Sequence, residues 1–288
     1  MARVKVITDS TSDIPKHLVE ELNIRVIPLK VHFGNETFLD GENLTAEEFY
    51  QRIANSETFP TTSQPSPVDF EQAYRQAIAE GYTDILSIHL SSALSGTYQS
   101  ALIAKEAVSS EEVKIEVLDS RTATFAIGNM VVEAARAAKA GKSLDECIKI
   151  AKRVRETQVL LGYLDTLDYL QKGGRIGKAA ALVGSLLRIK PIISLDDEGE
   201  VVAVEKVRGK KKAVRRIFEC LTEQIPKGSK VSVAIFYGAM QEEGKEWFQK
   251  ANELYDVQES TFSFIGPVIG SHTGPQTIGI LVTPKDEE

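Results

Sequence analysis

Short apolar runs alternate with stretches of helical spacing through the first half of the chain. Residues 4–8 (VKVIT) and 84–90 (DILSIHL) have the length and the aliphatic content of buried strands, and both end in polar turns. One intervening helix is expected after Ser66 and Pro67, a typical helix start, and before Gly81, a typical stop. Strands that alternate with helices of this length predict βαβ units and a parallel sheet.

Two capping boxes mark further helix starts in this half. Thr45 with Glu48, and Ser143 with Glu146, each place a hydroxyl three residues before a carboxylate. Such a pair satisfies free backbone N–H groups at a helix start, so a helix is predicted after Thr45 and another after Ser143. Residues 25–31 (RVIPLKV) are predicted to form one strand, and its proline favours the edge of the sheet.

The second half mixes a hairpin with βα units. Residues 190–195 lead through an acidic turn into residues 201–207, which predicts two antiparallel strands. Residues 266–279 (GPVIGSHTGPQTIG) contain many glycines and prolines and are predicted to be a loop between the last two strands. We therefore predict an α/β protein of two domains. Residues 1–156 would hold a mainly parallel sheet flanked by helices, with hydroxyl-rich βα loops, and residues 157–288 a mixed-sheet α/β layer.

Composition is that of an ordinary globular protein. The 288 residues are 42% hydrophobic and 26% charged, which suffices for one large core or two modest ones. The formal net charge of −7 argues against nucleic acid or an anionic membrane surface as a partner. The sequence contains neither a signal-like apolar segment after Met1 nor a run as long as a transmembrane segment, so a cytoplasmic location is expected. Cys147 and Cys220 lack the spacing of a zinc site or a disulfide framework and are expected to be buried.

Hydroxyl side chains cluster where predicted strands end. Three strand ends and one further loop share this composition: TDSTSD (8–13), LSSALSGT (90–97), DSRT (119–122) and TTSQPS (61–66). In an open parallel sheet ligands bind beyond the carboxyl ends of the strands, and hydroxyls with helix-start amides can hold an anion. The alternative is that Ser92, Ser95 and Thr97 only cap helices and form turns. Local spacing leaves both interpretations open.

A serine nucleophile is the competing chemistry for the same cluster. It requires a base within hydrogen-bond reach and a group that orients this base. Of the four histidines, His89 falls inside a predicted strand and His272 lies in the final glycine-rich segment. The segment LSSALSGTY lacks the GxSxG pattern of a nucleophile elbow. A serine-dependent acyl hydrolase using Ser95 or Ser92 with His272 is therefore the weaker alternative.

Two basic segments suggest other chemistry. In KGGRIGK (172–178) the glycine spacing is wrong for a nucleotide-binding P-loop, and Ala179 replaces the hydroxyl residue that would hold magnesium. Arg175 in this segment is either a surface charge or a guanidinium that can approach an anion. KVRGKKKAVRR (206–216) contains seven basic residues. A solvated helix start is its simplest interpretation and docking of an acidic partner the functional alternative, while nucleic acid comes third because no aromatic residues interleave.

Six short motifs follow one another along the chain: ITDSTSD, TSQPSP, LSSALSGTYQSA, DYLQKGGRIGK, KVRGKKKA and SHTGP. In this order, from about Ile7 to Gly279, they resemble the DegV family of bacterial fatty-acid-binding proteins. The resemblance implies a long-chain fatty acid, such as palmitate or stearate, held between two α/β domains, with no metal, no other cofactor and no turnover by the protein alone. Some members resemble the acyl-carrying subunit of a fatty-acid kinase, in which a separate component phosphorylates the bound carboxylate for phospholipid synthesis.

The resemblance also implies a set of head-group contacts. Matched motif by motif, the residues that would contact the carboxylate are Thr62, Ser63, Ser92, Ser95, Gly96, His272 and Thr273. Arg175 and Arg208 match family positions linked to acyl-phosphate handling or kinase docking. Gln276 departs from the family pattern, which usually has a second glycine there, so the turn after His272 is where a departure from the family geometry is expected. On this interpretation, replacing Ser92 or Ser95 by alanine weakens acyl binding.

Overall fold

The computed structural model describes residues 3–56, 58–108, 113–182 and 189–285. The strands are β1 (Val4–Asp9), β2 (Arg25–Ile27), β3 (Lys30–Phe33), β4 (Glu36–Leu39), β5 (Thr61–Ser63), β6 (Asp84–His89), β7 (Lys114–Asp119), β8 (Val159–Leu164), β9 (Ile189–Leu195), β10 (Val201–Arg208), β11 (Lys230–Tyr237), β12 (Asp256–Phe264) and β13 (Thr277–Pro284). The α-helices are α1 (Lys16–Glu21), α2 (Ala46–Asn55), α3 (Pro67–Ala79), α4 (Thr97–Val108), α5 (Phe125–Lys139), α6 (Leu144–Thr157), α7 (Asp168–Lys172), α8 (Lys210–Gln224), α9 (Gln241–Leu254) and α10 (Pro267–Thr273). Short 3-10 segments cover Ser10–Ser12 and Gly177–Leu182.

A four-stranded parallel sheet, in the order β2-β1-β6-β7, forms the centre of the N-terminal domain. Its two middle strands are buried along their whole length, because helices cover both faces. Helices α5 and α6 pack on one face, and α3 and α4 pack on the other. The predicted parallel sheet flanked by helices is therefore confirmed. Both capping boxes are also confirmed, at Thr45 and Ser143, with the reciprocal bonds to Glu48 and Glu146.

The predicted strand over residues 25–31 is wrong, because the chain divides there between two sheets. Arg25–Ile27 is the edge strand of the parallel sheet, whereas Lys30–Phe33 is the middle strand of a small antiparallel sheet in the order β4-β3-β5. Pro28 stands between them, where its missing N–H interrupts strand pairing. The third strand of the small sheet, β5, pairs Thr62 with Val31 and so fixes Thr62 against the domain.

The C-terminal domain is built on a six-stranded mixed sheet in the order β10-β9-β8-β13-β11-β12. Strands β11 and β12 are parallel, and the other neighbours are antiparallel, including the predicted β9–β10 hairpin. Helices α8 and α9 cover one face, where Trp247 is buried. The opposite face turns toward the N-terminal domain, and there Leu281 packs with Phe125 of α5. The mixed-sheet layer is confirmed, while its start after residue 156 stays a prediction.

Residues 267–273 form helix α10, so the prediction of a loop over 266–279 is wrong. The helix belongs to the C-terminal half of the chain but packs in the N-terminal domain, where Val268 lies among Leu29 and Phe49. Its glycine serves this packing rather than a turn: a Cβ at Gly270 would lie 2.7 Å from atoms of Phe49 and Tyr50. Glycine is used here because two elements approach closely.

Both cysteines are buried free thiols, as the sequence predicts. Burial raises the pKa of the Cys147 and Cys220 thiols, which keeps them protonated and unreactive. Within the part of the chain that the structure describes, no helix has both the length and the apolar character needed to cross a membrane.

Candidate ligand-binding site

A cavity of about 320 Å³ lies between the two domains. Its walls are mainly aliphatic and come from both sides: Leu90 and Leu94 follow β6, whereas Leu160 and Leu164 belong to β8 of the six-stranded sheet. Apolar walls with a few placed polar groups are the usual form of a small-molecule site, and the volume is at the lower end for such sites. The cavity is thus suited to an apolar ligand with one polar end.

His272, in the last turn of α10, is a central polar residue of the cavity wall. Its Nε2 is 2.8 Å from Thr62 Oγ1, which joins the C-terminal helix to β5 of the N-terminal domain. Its Nδ1 is buried, has no hydrogen-bond partner among the described residues and lies against Gly173, where a Cβ would clash with it. Burial, and then the charge of Arg175, lower the pKa of His272 to about 4. The ring is therefore neutral near pH 7.

Arg175 lines the same cavity and is held by backbone carbonyl groups. Its Nε donates to Leu94 O at 3.1 Å, and its Nη1 donates to Gly173 O at 2.8 Å. The side chain is half-buried. Of the two interpretations that the sequence left open, the structure therefore favours a positioned guanidinium at the cavity over a loose surface charge.

Three of the predicted hydroxyl residues line the cavity besides Thr62. Ser95 is half-buried, and its Oγ is 2.9 Å from Thr97 Oγ1. Ser63 is bonded to His32 Nε2 at 2.9 Å, and Thr273 donates to Ile269 O of its own helix at 3.1 Å. Among the three, Ser95 is the hydroxyl whose partner is another hydroxyl, which can rotate to bind a ligand.

Ser92 and Arg208 are not brought to the cavity with the others. Ser92 is exposed, and its Oγ donates to Asp119 Oδ2 at 2.5 Å, across neighbouring strand ends. Arg208 is exposed at the end of β10 and is not part of the cavity wall. Gly96 lies just outside the wall, beside the Gln64 side chain, which a Cβ at Gly96 would meet.

The strand ends at 8–13 and 119–122 contribute no hydroxyl to the cavity wall among the described residues. In the first, Thr8 donates to Ile88 O of the neighbouring strand β6 at 2.9 Å. Ser12 donates to Asp9 O at 2.8 Å and so stabilises the turn after β1. In the second, the Ser120 hydroxyl donates a hydrogen bond to Thr122 O of the same turn at 3.3 Å. The predicted ring of hydroxyls thus divides into segments that line the cavity, 61–66 and 90–97, and segments that order loops.

A Ser–His–Asp arrangement does occur in the protein, at a different histidine. Ser87 Oγ is 2.6 Å from His89 Nε2, and His89 Nδ1 is 3.0 Å from Asp9 Oδ2. All three side chains are fully buried, and the Tyr74 hydroxyl covers Ser87 with a bond of 2.9 Å. No ligand can reach this serine, so His89 is the buried, satisfied histidine that its place in a strand predicts.

Two buried carboxyl groups anchor the beginning of α10. Asp13 Oδ1 accepts the Gly266 N–H at 3.0 Å. Asp40 accepts a backbone hydrogen bond from Val268 of the helix, and its Oδ2 also accepts the Ser10 hydroxyl at 2.9 Å. Burial raises the pKa of Asp13 well above its usual range and that of Asp40 to about 7. The turn after β1 therefore holds one end of the helix whose other end carries His272.

Comparison with known proteins shows the family of this chain. A family model described as "Uncharacterised protein, DegV family" matches residues 3–285. The chain belongs to the DegV family. The DegV domain-containing protein lmo2514 of Listeria monocytogenes is 36% identical over 283 residues, which are 98% of this chain and 99% of that protein.

Solved structures of similar proteins have the same fold. A Thermus thermophilus protein, described by the words "Fatty Acid Binding of a DegV family Protein", is 35% identical with a TM-score of 0.91, over 98% of this chain and 100% of that one. A stearic acid-binding protein from Eubacterium ventriosum is 28% identical with a TM-score of 0.89, over 99% of each chain. The two-domain α/β fold of the family is therefore that of this protein.

Sequence reasoning missed four polar residues of this DegV-family cavity: Gln64, Thr124, Ser194 and Thr277. Gln64 lines it and donates from Nε2 to Ser100 Oγ at 3.1 Å. The sequence signal for this residue is its place in the hydroxyl-rich loop 61–66, although its own side chain is an amide. Thr124 also lines it, with φ of 53° and a bond of 2.6 Å to Asp13 Oδ2. A strained backbone of this kind leaves no mark in the sequence.

Proposed function

We propose that this protein binds a long-chain fatty acid, such as palmitate or stearate, with the acyl chain in the cavity and the carboxylate at its polar wall. The observation that carries the proposal is an apolar cavity whose wall also includes Thr62, Ser95, Arg175 and His272. The fatty-acid-binding relatives from Thermus thermophilus and Eubacterium ventriosum support the same ligand class. Burial of each methylene contributes roughly 0.8 kcal/mol, so a chain of about sixteen carbons would bind tightly even after ordering costs.

The carboxylate in this proposal is held mainly by neutral groups. A buried carboxylate is costly unless it accepts hydrogen bonds, and the hydroxyls of Thr62 and Ser95 can donate them. The lowered pKa of His272 keeps the ring neutral, so it acts as a hydrogen-bonding group rather than as a cation. Arg175, tied to two carbonyl groups, supplies the positive charge at this wall.

The finer part of the proposal is that the protein performs no chemistry alone and presents the fatty acid to a separate kinase. There a carboxylate oxygen would attack the γ-phosphorus of ATP, and ADP would leave, giving an acyl phosphate for phospholipid synthesis. An oxygen held by neutral hydroxyls keeps its nucleophilic lone pairs, which a tight ion pair would withdraw. Arg208 is exposed on the surface and could contact such a partner.

The hydrolase alternative lacks its essential contacts. His272 Nε2 bonds to Thr62 rather than to Ser92 or Ser95, and no carboxylate orients Nδ1 within the described residues. A ring with a pKa of about 4 is also a weak general base near pH 7. We therefore favour binding over turnover.

The first test is mass spectrometry of an organic extract of freshly purified protein, with binding of added palmitate and stearate. We expect close to one fatty acid per chain and no release of acid from acyl esters. An extract without lipid, together with no binding of either acid at micromolar concentration, would overturn the proposal.

The kinase role is tested separately. The loaded protein is mixed with ATP and a fatty-acid kinase component, and acyl phosphate is trapped with hydroxylamine. We expect product only when both proteins are present, and less product with Arg208→Ala at unchanged fatty-acid content. Product formation without the kinase, or no product with it, would contradict the kinase role and leave the proposed fatty-acid binding intact.

A further inference from the structure

Four residues form a row across four neighbouring strands on the cavity face of the six-stranded sheet. Ile193 of β9 pairs with Gly162 of β8, Gly162 pairs with Gly279 of β13, and Gly279 pairs with Phe236 of β11. All four line the cavity. Residues paired across strands point to the same face of a sheet, so this row is part of the cavity floor, with two glycines at its centre.

The rows on either side of the glycines carry side chains. Leu164 pairs with Thr277 in one, and Leu160, Leu281 and Ala234 pair in the other. The second of these rows packs with Phe125 of α5. Alternate residues along a strand are about 7 Å apart. The glycine row therefore lies about 7 Å from Thr277 on one side and about 7 Å from the row packed on Phe125 on the other.

The large residues at the two ends of the row, Phe236 and Ile193, contact the glycines beside them. A Cβ at Gly279 would overlap ring atoms of Phe236, so the ring lies directly on this glycine. A Cβ at Gly162 would be 3.2 Å from Ile193 Cγ1, a tight but adjustable contact. The ring of Phe236 is buried and in contact with the cavity, so its height above the sheet determines the depth of the cavity there.

We propose that Phe236, whose ring lies directly over Gly279, determines which acyl chains fit the cavity, a role that rests on the proposed fatty-acid binding. The glycine lets the ring lie against the sheet and leaves room above it for methylenes. Any side chain at residue 279 lifts the ring into that room. A smaller side chain at residue 236 enlarges it. The pair is therefore a specificity determinant that is separate from the polar wall at His272.

The test compares Gly279→Ala, Phe236→Ala and the double variant with the parent protein. Each is incubated with an equimolar mixture of saturated C12 to C20 acids, and the retained acids are measured by mass spectrometry. Gly279→Ala should lower the ratio of retained stearate to myristate by about tenfold, the effect of losing room for one to two methylenes. Phe236→Ala should shift retention toward longer chains, and the double variant should recover stearate because the clash is gone.

Gly244→Ala is the matched control, since this buried glycine of α9 packs against Tyr237 on the other face of the sheet and is not part of the cavity wall. We expect a change of less than threefold in the same ratio. Thermal denaturation shows which variants fold. If Gly279→Ala does not fold, Phe236→Ala and the double variant still test the proposal. Folded variants that retain the parental chain-length profile would overturn this inference while leaving fatty-acid binding intact, whereas a parent protein that retains no acid would overturn the proposed function.

Discussion

His89 and His272 differ in how completely their surroundings meet their hydrogen-bonding needs. His89 sits in a closed network, with Asp9 on one ring nitrogen and Ser87 on the other, and the geometry resembles that of a hydrolase. His272 lies at a cavity, yet one of its nitrogens has no partner among the described residues. One histidine has catalytic geometry without access, and the other has access without catalytic geometry.

This difference separates a structural site from a binding site. Buried polar groups in folded proteins are nearly always hydrogen-bonded, and a complete network such as that of His89 stabilises one conformation. A buried nitrogen without a partner costs free energy, so its persistence at His272 calls for an explanation. A bound polar head group at this wall is the explanation that we propose.

Breaking the His89 network should have the largest effect on stability. Asp9→Ala removes the acceptor of His89 Nδ1 and of the Leu90 N–H, both buried. Leaving such groups unpaired should lower the free energy of unfolding by about 3 to 5 kcal/mol, measured by urea denaturation. His272→Ala is the control and should change it by less than about 1 kcal/mol. Equal losses in the two variants would remove the distinction drawn between the sites.

His272→Ala should instead act on the ligand. Loss of a hydrogen bond to a charged group costs about 1.5 to 3 kcal/mol, so fatty-acid affinity should fall by about tenfold or more. The measurement is displacement of a fluorescent fatty acid at pH 7. Undiminished affinity in His272→Ala would show that the ring does not meet the carboxylate.

His272 should make the free energy of unfolding depend on pH. Its pKa is about 4 in the folded protein and about 6.5 when unfolded, so only the unfolded chain takes up this proton between these values. The free energy of unfolding therefore falls as the pH is lowered from 6.5 to 4, by on the order of 2 to 3 kcal/mol from this group.

The raised pKa of Asp40 acts in the opposite sense in an overlapping range. Its contribution is present below about pH 3.8 and is lost as the pH rises through 7. The difference in unfolding free energy between the parent protein and His272→Ala, measured from pH 4 to 8, isolates the histidine. A difference that does not vary with pH would contradict the lowered pKa.

The smallest expected effect distinguishes two serines of one loop. Ser95→Ala should weaken fatty-acid binding by about 1 kcal/mol, roughly fivefold, because it removes a donor from the cavity wall. Ser92→Ala should leave binding unchanged, since this hydroxyl is bonded to Asp119. Titration of both variants with labelled palmitate compares them directly, and a larger loss in Ser92→Ala would reverse the assignment.

The sequence by itself determined the features that depend on near neighbours. The capping boxes at Thr45 and Ser143, the β9–β10 hairpin and the alternation of strands and helices are visible in the chain, because caps, turns and periodicity act over a few residues. The family motifs likewise indicated the segments that carry Thr62, Ser95 and His272, which line the cavity. Prediction was wrong where packing overrides local signals: residues 267–273 form a helix among flanking glycines and prolines, and Gly270 within it admits Phe49 and Tyr50.

Only the tertiary structure decided which polar groups face the cavity. Ser92 and Ser95 are three residues apart in one hydroxyl-rich loop, yet one turns to Asp119 and the other lines the cavity. His272 depends in the same way on Thr62, which is distant in sequence, and Phe236 depends on a glycine of the neighbouring strand. The direction of a side chain is set by whichever groups the fold brings beside it, and those groups are not its neighbours along the chain.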